Sequence, residues 1–197
     1  MIRSLERIAA SPFEPPMRPR PERPEPPGAS GPPRPVPALL GPTGCVAILA
    51  LLTLARLMAA AAAGLSEDEA YYRLWALEPA FGYLDHPPMI GWWIAAGIGF
   101  VGDDALGVRM PGILATLVAS MAVWRIALLL SADLATAGRA AIWFNATLLI
   151  GVGAVIATPD LPSVLFWTLA LWAIAELRTG EDDRWWLAVG AFAGLGL

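Results

Sequence analysis

The sequence predicts an all-α integral membrane protein, a polytopic transmembrane helical bundle, and three observations carry that prediction. Of the 197 residues, 57% are hydrophobic and only 15% charged, whereas soluble domains run at about a quarter charged. Several apolar runs approach or reach the roughly 20 residues that a bilayer demands of a spanning helix. Nine tryptophans suit the interfacial belts where an amphipathic ring is at home. Together these exclude an ordinary soluble globule and a chain disordered throughout. The net charge of -4 gives no footing for nucleic-acid binding. Every basic residue is arginine, and Cys45, alone of its type, sits in an apolar run as packing.

Residues 1–37 are a Pro/Arg-rich tail. Most of the prolines lie in or just after it, interleaved with arginine and glutamate, a composition that cannot bury enough apolar surface to offset its ordering entropy. The tail is expected to be disordered. It carries Arg3, Arg7, Arg18, Arg20, Arg23 and Arg34, which places it in the cytoplasm by the positive-inside rule. Residues 38–197 are expected to form one membrane domain. A first span fits 38–63, with Arg56 near its outer end, where it could snorkel or meet an anionic head group. Further spans fit 110–130, 140–158 and 162–177. A last one begins at Trp185 and reaches Leu197 after 13 residues, short of a full crossing, so the chain reads as the front part of a longer protein.

Segment 86–102 decides the topology. It is uncharged, yet it opens on Pro87 and Pro88 and contains four glycines, leaving about 14 residues of helix, a length suited to an interfacial or re-entrant element. If it stays outside, Arg125, Arg139, Arg178 and Arg184 join the tail arginines on the cytoplasmic side, and Arg56, Arg73 and Arg109 are on the outer side. If it spans, the later loops flip against the rule. The non-spanning reading puts the outer loop 64–109 and the turn carrying Asp160 on one face.

In that loop Ser66-Glu67-Asp68-Glu69 opens a helix ended by Pro79. Ser66 and Glu69 have capping-box spacing, and Glu69 precedes Arg73 by four, the favourable order for a helical ion pair. Asp68 has neither explanation beyond the helix dipole; it shares a face with Tyr72 and Trp75. In Tyr83-Leu84-Asp85-His86-Pro87-Pro88 the prolines stiffen the backbone. His86 is solvated or functional, and Asp85 is an N-cap for the next helix or a ligand. Asp160, in Thr158-Pro159-Asp160-Leu161-Pro162, either caps the following helix or is an acid held near membrane depth for function. The sequon at Asn145 lies within a span and is set aside. Asp103-Asp104 reads as a solvated turn.

Taken in order, Asp68-Glu69-Ala70-Tyr71-Tyr72, Tyr83-Leu84-Asp85-His86-Pro87-Pro88, Arg109-Met110-Pro111 and Thr158-Pro159-Asp160 resemble the membrane glycosyltransferases of the C-type superfamily. The resemblance is to the protein O-mannosyltransferase-like branch, which includes the lipid A aminoarabinose transferases, and it covers about residues 38–197. It implies a bacterial inner-membrane enzyme with interfacial juxtamembrane helices in its first outer loop. Such an enzyme moves a hexosyl or pentosyl group from a polyprenyl-phosphate sugar to a hydroxyl of a lipid, glycan or protein acceptor at the periplasmic face. The first acid of the pair, Asp68, matches the family's catalytic base, with Glu69 beside it, and Asp160 a second acid of the same cavity. Asp85 and His86 match a loop position that holds histidine in the mannosyltransferase branch. Some members place a divalent metal near that loop, where Asp85 is the one match; no metal ligand is assigned.

A carboxylate taking the proton of an attacking hydroxyl suits an oxocarbenium-like transition state, and a phosphate leaving group calls for charge neutralisation. The expected assignment is Asp68 and Glu69 as catalytic acids, with Asp160, His86, Tyr72, Asp85, Arg73, Arg109 and Arg56 binding substrate. The competing reading is a non-catalytic membrane protein or degenerate fragment that binds a lipid-linked sugar; the 197 residues alone are expected to be inactive.

Overall fold

The computed structural model describes residues 40–131 and 133–196; the tail predicted at 1–37 lies outside them. Among the described residues the secondary structure is helical, without strands. The elements are α1 (Pro42–Ala62), α2 (Glu67–Leu77), α3 (Met89–Val101), α4 (Ala105–Ser131), α5 (Leu134–Ala146), α6 (Leu148–Gly151), a 3-10 turn (Gly153–Val155), α7 (Asp160–Thr179) and α8 (Trp185–Leu195). Helices α1, α4 and α7 are each long and apolar enough to cross a membrane, and α5 with α6 makes a fourth crossing if that bent pair is one span.

Local chemistry sets most boundaries. Pro42 opens α1, where its missing N–H goes unnoticed. Helix α2 begins in a complete capping box between Ser66 and Glu69, as the S-x-x-E spacing predicts. The prolines 87 and 88 hold off helix until Met89, and Gly102, at φ +125°, stops α3 in a conformation only glycine takes without strain. Asp104 then caps α4 by accepting from Gly107 N at 2.8 Å, so α4 starts at Ala105, five residues before the expected 110. Asp103 and Asp104 are thus an ion-pair partner and a helix cap, rather than a merely solvated turn.

The segment expected to span at 140–158 is bent. Helix begins at Leu134, capped by Asp133 through Ala135 N and Thr136 N, and breaks at Thr147, whose extended backbone turns the chain by 79° into α6. The segment beyond the break carries the chain to Asp160.

Helix ends sort into two groups. Arg109, at the start of α4, donates to the Ala60, Ala63 and Gly64 carbonyls at the end of α1, and Ala157, just before α7, donates to Glu69 of α2. At the opposite end, Cys45 near the start of α1 lies where a Cβ on Gly138 of α5 would fall, beside Trp124 of α4. Arg125 of α4 pairs with Glu176 of α7 there at 2.8 Å. The chain therefore leaves α1 and enters α4 at the same end of the bundle. Within segment 86–102 the helix is α3, 13 residues long and packed against α2 and the start of α4.

Small residues let these helices approach. A Cβ on Gly97 of α3 would overlap the Gly107 carbonyl and come within 2.7 Å of the Pro111 ring of α4. One on Gly112 of α4 would stand 2.5 Å from Leu161 of α7. Close backbone approach of this kind is how membrane helices gain dispersion contacts that lipid cannot replace. Above this crossing Tyr72, Trp75, Ile90, Ile94, Val108 and Ala157 form one buried cluster. It seats α2 and α3 on the start of α4 and fixes the face of α2 that carries Asp68.

Candidate active site

Glu69 is fully buried, and its two oxygens accept five hydrogen bonds. Oε1 accepts from Arg109 Nε at 2.7 Å and Ala157 N at 3.0 Å. Oε2 accepts from Arg109 Nη2 at 2.7 Å, Ser66 N at 2.9 Å and Ser66 Oγ at 3.1 Å. Burial disfavours its charge, but Arg109 and the Ser66 and Ala157 amides outweigh that and hold the carboxyl at about 2. Arg109 is saturated in turn: Nη1 donates to the Ala60 and Ala63 carbonyls at 3.1 and 2.8 Å, and Nη2 also reaches Gly64 O at 2.7 Å. It satisfies carbonyls that the end of α1 would otherwise leave orphaned and sets a positive charge at that helix's negative pole. Glu69 and Arg109 therefore lock α1, α2, α4 and the entry to α7 together. The expected Glu69–Arg73 pair does not form. Arg73 faces the other way, donating from Nε to Asp103 Oδ1 at 2.6 Å and from Nη2 to Oδ2.

Asp68, the neighbour of this lock, is exposed and forms no hydrogen bond or ion pair among the described residues. One turn on, Tyr72 is packed edge-on to His86 at 5.9 Å and tilted against Trp75 at 5.1 Å. Burial, then the charges of Asp68, Asp160 and Asp85, push the Tyr72 hydroxyl's pKa up. The charges that act on this phenol come from α2, from the 83–88 loop and from the first turn of α7.

The loop is held by aromatic packing. Tyr83 stacks flat on Trp75, with ring centres 4.4 Å apart, and its hydroxyl donates to Trp75 O at 2.8 Å and accepts from Ala80 N at 3.0 Å. Tyr71 donates to Asp85 Oδ2 at 2.7 Å. Asp85 is therefore not the N-cap of the next helix, a place taken by Pro88. Asp160 is not a cap either: it is the first residue of α7 behind Pro159, with no capping bond. Among the described residues its carboxylate accepts one long hydrogen bond, from Thr158 Oγ1 at 3.4 Å. His86 and Asp160, with Pro87, Met89, Pro159 and Ser163, line a cavity of about 210 Å³.

Arg56 departs from the expected snorkelling. It is buried and points into the bundle, donating from Nη1 to Asn145 Oδ1 at 2.7 Å and from Nη2 to Ile150 O at 2.8 Å, while its Nε has no acceptor. Asn145 passes the network on, donating to Ser120 Oγ at 2.7 Å and Ala141 O at 2.9 Å. Arg56 is thus a staple across the 147 break, held by the asparagine of the Asn145-Ala146-Thr147 sequon. A polar amide in a span is costly, and that cost was the available signal. Trp75 and Tyr83 were also missed as the supports of the loop.

His86 and Asp160 share one cavity wall, Tyr72 packs on His86 one turn along α2 from Asp68, and Asp85 is held by Tyr71. Glu69 and Arg109 lie beneath them as a saturated pair, Arg73 is engaged by Asp103, and Arg56 serves the helix break. Among the described residues no three His, Cys, Asp or Glu side chains are grouped to hold a metal ion.

Compared with known proteins, residues 85–197 match the family model described as dolichyl-phosphate-mannose-protein mannosyltransferase. No curated protein and no solved structure matches the chain.

Proposed function

The chain belongs to the dolichyl-phosphate-mannose-protein mannosyltransferase family, and from that premise we propose that it transfers a sugar from a polyprenyl-phosphate donor to an acceptor hydroxyl at the outer face of a bacterial inner membrane. The observation that carries this reading is the division of labour between adjacent acids. Glu69 has every lone pair engaged, whereas Asp68 is exposed, without a hydrogen bond among the described residues, one helical turn before Tyr72.

In this reading Asp68 takes the proton of the acceptor hydroxyl as its oxygen forms a bond to the sugar's anomeric carbon. The bond from that carbon to the phosphate oxygen breaks, and its electron pair leaves with the polyprenyl phosphate. A general base of this kind is worth about 10²–10⁴-fold in rate. The sugar occupies the cavity of about 210 Å³ between His86 and Asp160, where the two side chains offer it hydrogen bonds and Asp85 supports the loop. Arg73, on the solvent side of α2, is the arginine suited to the leaving phosphate, because Arg109 and Arg56 are committed to protein acceptors. The domain runs from residue 38, and its acceptor is a lipid, glycan or protein hydroxyl.

The test is transfer of radiolabelled mannose from dolichyl-phosphate mannose by the full-length protein in proteoliposomes. Asp68→Asn is expected to lower turnover by about 10²-fold or more with an unchanged unfolding midpoint. Undiminished turnover would remove Asp68 from the role of base.

A further inference from the structure

At the end of the bundle opposite Asp68, an ion pair keeps unused capacity on both partners. Arg125 of α4 donates from Nε to Glu176 Oε1 of α7 at 2.8 Å, and Trp172 Nε1 donates to the same oxygen at 2.9 Å. Among the described residues no hydrogen bond uses Nη1 or Nη2 of Arg125, or Oε2 of Glu176. The Arg125 side chain is half exposed, and Glu176 Oε2 is not buried. Helix α4, with 27 residues, is about 40 Å long and outreaches a hydrocarbon core of about 30 Å. Arg125, six residues before its end, therefore stands near head-group level.

Two apolar grooves meet at this arginine. One, of about 430 Å³, runs between α1 and α4 and is lined by Leu49, Leu117, Met121, Trp124 and Arg125 among others. The second, of about 350 Å³, runs between α4 and α7 past Val118, Met121, Arg125, Leu169 and Trp172. Met121 and Arg125 belong to both. One turn apart on α4, they stack on one face and form the ridge that divides the grooves. Leu117 and Val118 carry the grooves about 10–12 Å from Arg125 towards the middle of the span.

A ligand matching this arrangement has two hydrocarbon chains and a head that bears an anion and an N–H cation side by side. Its phosphate accepts from the free guanidinium N–H groups, its ammonium donates to the free carboxylate oxygen, and its chains lie on either side of Met121. A purely anionic head would face Glu176 without compensation, and a quaternary ammonium has no N–H to give. Basic side chains between membrane helices are suited to holding lipid head groups. We propose that this is a binding site for one diacyl phospholipid with a phosphoethanolamine head, taken from the leaflet at that end of the bundle. The site is separate from the Asp68 site and independent of the glycosyl-transfer reading.

The experiment is native mass spectrometry of the purified full-length protein titrated with phosphatidylethanolamine, phosphatidylglycerol and phosphatidylcholine of identical chains. Wild type is expected to bind one phosphatidylethanolamine about tenfold tighter than either of the others, the yield of one added charge-assisted contact. Arg125→Gln and Glu176→Gln are each expected to abolish that preference. Met121→Trp keeps the ion pair but fills the grooves from their shared ridge, and should weaken phosphatidylethanolamine binding about tenfold. Met121 is 63% exposed, so the unfolding midpoint of that variant should stay near wild type, and it decides the matter if either charge variant fails to fold. The proposal is overturned if wild type binds the three lipids alike, prefers phosphatidylglycerol, or binds none, the last meaning that another part of the protein covers the grooves. Retained preference in the charge variants, or undiminished binding by Met121→Trp, overturns it as well.

Discussion

Arg109 and Glu69, 40 residues apart in the chain, meet in a two-pronged ion pair with both N···O distances at 2.7 Å. No lone pair or N–H of either side chain remains for a ligand. Planar, bidentate pairing is the arrangement in which a buried guanidinium and carboxylate best offset their desolvation, and here the surplus donors also close the end of α1. The pair fixes where α2 starts, and therefore where Asp68, one residue before Glu69, is displayed.

Breaking that pair is expected to cost about 3–5 kcal/mol, because the remaining charge is left buried and unmatched. Glu69→Gln and Arg109→Lys should each lower the unfolding midpoint of the detergent-solubilised protein well beyond the effect of Asp68→Asn. The pair also has a pH signature. The Glu69 carboxyl is held at about 2, below its ordinary 4.5, so its stabilisation is complete above the ordinary value and is lost as pH falls from about 4.5 towards 2. Wild type should lose stability across that window more steeply than Glu69→Gln; equal slopes would show that the pair does not carry the linkage.

How much of this was legible depends on whether a partner was local. The S-x-x-E spacing announces the capping box because both members lie within one turn, and it formed. The same local logic offered Arg73 to Glu69, and there it failed: a tertiary partner that also supplied bidentate geometry and burial outcompeted an exposed i, i+4 contact worth only a few tenths of a kcal/mol. The 147 break was illegible because no proline marks it and the apolar composition runs on through it. Its cause is a side chain on another helix, Arg56, which holds the Ile150 carbonyl. In the sequence, the only argument for placing Asp68 and Asp160 on one face is the arginine count, because no local pattern links residues so far apart.

Asn145 is the pivot of that break, accepting from Arg56 and donating to Ser120 and Ala141. Asn145→Leu, close in volume, removes the amide and strands a buried guanidinium N–H. A loss of about 1–3 kcal/mol in stability is expected, read as a lower unfolding midpoint. Because α6 leads to Asp160, turnover should fall in the same variant; a wild-type midpoint would show that the α5–α6 bend is held by packing alone.

Grouping of the helix ends makes a prediction about sidedness. With Cys45 replaced by serine, single cysteines at Ser66 and at Thr158 should be labelled from one side of the membrane by an impermeant thiol reagent, and one at Glu181 from the other. The positive-inside rule makes the first side the extracytoplasmic one. Labelling of positions 66 and 158 from opposite sides would put Asp68 and Asp160 in different compartments and dissolve the proposed site.

Arg73 remains the arginine whose service to the protein is most easily exchanged for service to a ligand. Its acceptor, Asp103, is a surface carboxylate, and each draws the other's pKa outward: Arg73 up, chiefly through that hydrogen bond, and Asp103 down for the same reason. Exposed pairs of this sort add little to stability, so neither Arg73→Gln nor Asp103→Asn should move the unfolding midpoint appreciably. They should differ in kinetics. Arg73→Gln removes the cation that would meet the donor phosphate, and KM for dolichyl-phosphate mannose is expected to rise about tenfold, the loss of one charge-assisted contact. Asp103→Asn releases the same guanidinium from its competitor, so KM should hold or fall. Parallel increases in both variants would mean that the pair acts as a unit to position α2, and the phosphate would then have to be met by another cation.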